Sequence, residues 1–172
     1  FYLSRVSGSI AFGAKGGWTD GNDFGRIVLF HEYAHHFLLG TYDIAFPAWY
    51  SEGFAEFAST MRITDQNATI GYAAQHRAYG LMEGQRFTAR QMFGPKMRLS
   101  AAQMDAFYGR GWLMTHYFSF DRARNRQLLA YIGAINRGTP SVTAAEEAFG
   151  DLQELDRSLS GYLGRRRLAG MA

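Results

Sequence analysis

With 172 residues, 47% of them hydrophobic and 19% charged, the chain is sized for one domain around one core, and its composition excludes a disordered, collagenous or coiled-coil protein. The net charge of +3 comes almost wholly from arginines. Those at 122–126 and 165–167 form no long basic stripe with stacking aromatics, so they read as solvated faces and no nucleic-acid partner is expected. The absence of cysteine rules out disulfides, thiolate metal sites and a cysteine nucleophile, which leaves His, Asp and Glu to hold any metal.

No stretch approaches the roughly 18 apolar residues of a membrane helix. The greasiest run, Ile27 to Phe30, ends at His31 and Glu32, so no membrane span is expected. The chain opens at Phe1 without the basic start, apolar stretch and small-residue cleavage site of a signal peptide. Such a start suggests a domain taken from a longer protein, and periplasmic, exported and cytoplasmic locations all stay open.

In chain order, residues 1–14 alternate as a half-buried strand does, with Val6, Ile10 and Phe12 on one parity and Ser7, Ser9 and Ala11 on the other. Glycines crowd residues 13–25 between Asp and Asn, which marks a loop without phosphate-binding spacing. Residues 26–39 are apolar on nearly every side, as in a buried helix, and Gly40 is the expected stop. Pro47 suits the first turn of a second helix reaching about Thr60. Residues 62–72 read as a hairpin around Asp65, Gln66 and Asn67. The rest is mainly helical, punctuated by capping boxes at Thr88/Gln91, Ser100/Gln103, Thr143/Glu146 and Asp151/Glu154. The expected class is α+β, mainly helical, in a single domain over 1–172: an edge strand and Gly-rich loop (1–25), two helices (26–60), then a hairpin and helical part (61–172).

The chemistry concentrates in His31-Glu32-Tyr33-Ala34-His35-His36, which contains HExxH. Residues four apart on a helix differ by about 40° around the axis, so His31 and His35 share a face and can share one ion, while Glu32 flanks it. His36 points about 100° from His35 and is excluded from that ion. Burying two unpaired imidazoles and a carboxylate on so apolar a helix would be costly, which argues against a purely structural role. A catalytic zinc needs a third ligand and an open fourth position. The metzincin continuation is absent, since Leu38 and Thr41 stand where it needs Gly and His. Downstream, Glu52 and Glu56 stand four apart on the second helix. The economical reading has Glu52 complete the ligand set and Glu56 accept a hydrogen bond from the outer nitrogen of a ligating histidine.

HExxH followed about 20 residues later by a helix with Trp49, Glu52, Gly53, Ala55 and Glu56 resembles the gluzincins, the thermolysin-like clan of zinc metallopeptidases. Within it, the chain looks most like the bacterial peptidase-MA-like domains. The resemblance is specific from His31 to Phe57 and weaker through the hairpin, the Tyr108–Phe118 segment and the closing helix. It implies a zincin-like fold, one zinc ion (Zn2+) on His31, His35 and Glu52, Glu32 as general base and Glu56 as the supporting acid. It also implies a peptide or protein substrate laid along the N-terminal edge, at Ser9, Ile10, Ala11 and Phe12. The oxyanion donor would be one of Tyr72, His76, Tyr108 and His116, with Tyr108 favoured because it opens the later helix that resembles theirs. Two other readings are a catalytically silent zinc module that docks a peptide on the edge strand, and a structural metal site. The latter needs a closed four-ligand shell, for which no fourth residue is obvious, and neither needs Glu32.

Overall fold

The computed structural model describes residues 2–3, 10–11 and 24–164. They form a mainly helical α+β protein. A first antiparallel pair, β1 (Tyr2–Leu3) and β2 (Ile10–Ala11), is in register Tyr2 with Ala11 and Leu3 with Ile10. Both strands lie against helix α1 (Phe24–Thr41). Helix α2 (Ala48–Ser59) follows, then a second antiparallel pair, β3 (Arg62–Ile63) and β4 (Ala68–Thr69). A 3-10 turn, Gln75–Arg77, leads into the short helices α3 (Ala78–Met82) and α4 (Ala89–Phe93). Four more helices close the domain: α5 (Ala101–Ser119), α6 (Arg122–Asn136), α7 (Ser141–Phe149) and α8 (Leu152–Leu163). No helix among the described residues is long and apolar enough to cross a membrane.

The core forms where α2 and α5 meet the C-terminal helices. Trp49 on α2 packs edge-on against Phe93 and beside Tyr131 and Phe118, all four at most 1% exposed. The indole N–H of Trp49 donates to the Tyr131 hydroxyl at 3.3 Å, and that hydroxyl also bonds Ser141 Oγ at 2.9 Å, so the polar atoms of these two rings are satisfied. Helices α2 and α5 approach closely because glycine faces glycine. A Cβ on Gly53 would fall 2.4 Å from the Gly111 carbonyl oxygen.

Local signals set many element ends. Thr88 and Ser100 form full capping boxes with Gln91 and Gln103. Asp151 caps α8 by accepting from the Gln153 amide, but Glu154 turns away to Arg157. Thr143 does not cap: α7 begins at Ser141 behind Pro140, two residues earlier, which places Thr143 inside the helix. Gly40 does not end α1, which continues to Thr41. Pro47 sits just ahead of α2 with φ −66° and ψ 148°, and its carbonyl accepts from the Tyr50 and Ser51 amides.

Helix α1 is not buried all round. Ala34 and Leu38 are its buried residues, whereas Leu29, Tyr33, Phe37 and Leu39 are exposed. One face packs on α2, and apolar side chains elsewhere on the helix and at the margin of that contact stay on the surface.

Candidate functional site

Helix α1 carries His31 and His35 one turn apart, and the adjoining helix α2 presents Glu52 to both. His31 Nε2 lies 3.1 Å from His35 Nε2, and Glu52 Oε2 is 3.4 Å from each nitrogen. A tetrahedral ion with bonds of about 2.0–2.1 Å has neighbouring ligand atoms about 3.3–3.4 Å apart, so this triangle has the right size for three zinc ligands. The donor set, two imidazoles and one carboxylate, also suits that ion. These three residues can hold a metal.

Each histidine has a partner at its outer ring nitrogen. His31 Nδ1 is 3.2 Å from Glu56 Oε1 and His35 Nδ1 is 3.2 Å from Ser51 Oγ. A donor–acceptor pair there fixes the ring orientation and turns Nε2 toward Glu52. Glu56 thus stands where the α2 spacing put it. Ser51 carried no signal in the sequence, being an ordinary polar residue ahead of Glu52.

Glu56 is 1% exposed and has two further partners. His76 Nε2 lies 2.7 Å from its Oε2, and Arg77 Nη2 donates to its Oε1 at 2.7 Å. Arg77 Nη1 in turn donates to Asp105 Oδ1 at 2.9 Å. A buried carboxylate stripped of its partners costs several kcal/mol, so this arrangement keeps Glu56 ionised and in place. Burial opposes its charge, but His31, His76 and Arg77 outweigh burial and hold its carboxyl well below the usual range. Burial likewise opposes ionisation of Glu52, yet the two histidines bring it down to about 2. Burial pulls His31 toward neutrality, while Glu52 and Glu56 overcome it and raise the ring to about 9.

A cavity of about 290 Å³ opens beside the triangle, with His31, Glu32, His76, Arg77 and Tyr108 on its wall and Phe24 and Val28 adding apolar surface. Tyr108 stacks against His31 with ring centroids 6.2 Å apart, and the Arg77 guanidinium lies 5.1 Å from its ring. Burial and the Glu52 carboxylate push the Tyr108 hydroxyl up to about 12, which keeps it protonated at neutral pH. Tyr108 does not open a helix. It lies two turns into α5, because the capping box at Ser100 starts that helix earlier.

The other candidate donors separate clearly. His116 is 0% exposed and lies in the core, with Nδ1 2.8 Å from the Tyr162 hydroxyl and Nε2 3.0 Å from the Gly71 carbonyl. Tyr72 is on the surface under the Arg62 guanidinium, 4.1 Å from its ring. His76 reaches the cavity, where its Nε2 is engaged by Glu56. His36 is exposed beside Tyr33. Of the expected substrate edge, Ile10 and Ala11 form β2, and Ser9 and Phe12 lie outside the described residues.

His76 and Arg77 escaped the sequence reading as partners of Glu56. They sit in a 3-10 turn between a hairpin and a short helix, where no periodicity relates them to α2. No family model, no curated protein and no solved structure matches the chain.

Proposed function

We propose that this domain is a zinc-dependent peptidase of the gluzincin type, with a zincin-like arrangement, acting on a peptide or protein substrate. The observation that carries the reading is the triangle of His31 Nε2, His35 Nε2 and Glu52 Oε2 beside a cavity that Glu32 lines. Bound there, zinc would supply Lewis acidity and a water molecule with a pKa of about 7. Glu32 takes the proton from the attacking water and hands it to the leaving amine nitrogen. Tyr108, protonated across the neutral range, donates a hydrogen bond to the carbonyl oxygen as negative charge develops on it. Glu56 and Ser51 hold the two imidazoles in orientation. Strand β2 lies close to α1 and is the segment assigned to align an extended substrate.

The test is metal analysis of protein purified without added zinc, with hydrolysis of an unstructured protein such as casein followed before chelation, after it and after zinc is restored. The reading requires one zinc per chain and activity that is lost and regained with the metal. Bound zinc without hydrolysis would turn it into a silent peptide-docking module. Absence of zinc binding would remove it.

A further inference from the structure

We propose that His76 and Arg77 are positioning residues of the His31, His35 and Glu52 centre, acting through Glu56; the proposal rests on the zinc reading above. Glu56 is the point where three separate parts of the chain converge. Its Oε1 faces His31 Nδ1 from α1 at 3.2 Å and accepts from Arg77 Nη2 at 2.7 Å, while its Oε2 is 2.7 Å from His76 Nε2. With both oxygens engaged, the carboxylate plane is fixed, and a fixed acceptor at Nδ1 fixes the direction of the Nε2 lone pair. A carboxylate this buried and without solvent to restrain it would otherwise be free to turn toward any single donor.

Arg77 ties the arrangement to α5 as well. Its second terminal nitrogen binds Asp105 at 2.9 Å and its guanidinium lies 5.1 Å from the Tyr108 ring. One cation from the turn after the hairpin therefore bridges α2, which supplies Glu52 and Glu56, to α5, which supplies Tyr108. A mere staple holding that turn to the core would stabilise the fold without affecting how tightly His31 binds a metal. Positioning predicts an effect on the metal that depends on Glu56.

The experiment uses the full chain and Zn2+ alone, with the dissociation constant measured by competition against a chromogenic chelator and the melting temperature of the metal-free protein recorded alongside. Arg77→Met and His76→Ala should each weaken zinc binding roughly 3- to 10-fold, less than the roughly 10- to 100-fold typical for a direct outer partner of a metal ligand such as Glu56, because they act one step further out. His76→Gln, which keeps a donor near the position of Nε2, should restore most of the affinity. In a Glu56→Gln background, Arg77→Met should add less than about twofold, because the residue it acts through has already been altered. Should Arg77→Met not fold, the His76→Ala and His76→Gln pair decides the matter. A lowered melting temperature with zinc affinity within about twofold of wild type in these variants would overturn the inference and leave the zinc reading standing. A wild-type chain that binds no zinc would overturn both.

Discussion

Gly53 on α2 and Gly111 on α5 meet so closely that a Cβ on Gly53 would lie 2.4 Å from the Gly111 carbonyl oxygen and 2.7 Å from Thr115 Oγ1. Backbone cannot yield as a flexible side chain does, so Gly53→Ala must push the two helices apart. Overpacking of this kind costs about 1–3 kcal/mol, and in a chain of this size each kcal/mol lowers the melting temperature by roughly 2–4 °C. The displacement would also carry Glu52 and Glu56 away from Arg77, Asp105 and Tyr108. Calorimetry and zinc titration on the same variant should both register it, and an unchanged melting temperature would show that α2 and α5 are less tightly constrained than the distance implies.

Glu52→Gln should weaken zinc binding by more than the roughly 10- to 100-fold expected for an outer partner, since it removes the negative charge of the proposed third ligand. The same loss should be visible as stability. Zinc at 100 times its dissociation constant would add about 2.7 kcal/mol to the wild type, and the variant should lose most of that thermal shift at the same zinc concentration. An equal shift in both proteins would move the third ligand elsewhere.

Glu32→Gln preserves shape and removes the group proposed above as the proton acceptor. Zinc content should be unchanged while turnover falls by about 10²–10⁴. Metal loss in this variant would assign Glu32 to the structure of the centre, and normal turnover would end its role as the base.

Tyr108→Phe deletes only the hydroxyl. Removal of one oxyanion donor costs about 2.7–4 kcal/mol, so kcat should drop roughly 100- to 1000-fold with zinc affinity and folding preserved. Near-normal turnover would end that role for Tyr108, and neither His116, enclosed in the core, nor Tyr72, on the surface, is placed to take it over.

What the sequence determined by itself is what helical geometry makes local. The four-residue spacing of His31 and His35 puts both rings on one face of any helix, and the same spacing relates Glu52 to Glu56. Capping at Thr88 and Ser100 follows from side chains bonding amides three residues away. These relationships need no knowledge of the rest of the chain. Where a local signal met a stronger neighbour it failed: Pro140 started α7 before Thr143 could cap it, and Gly40 was carried through in a continuing helix. The apolar run in α1 suggested burial on every side, but burial is decided by what packs against a helix, and α2 covers one face of it. Tertiary structure alone decided the contacts across sequence separation: Ser51 on His35, His76 and Arg77 on Glu56, Arg77 on Asp105, and Gly53 against Gly111. Residues 16 or more apart come together through the packing of α1 on α2, the close approach of α2 and α5 and the return of the chain after the hairpin. No pattern within a single helix encodes those distances, because they arise from how the helices pack.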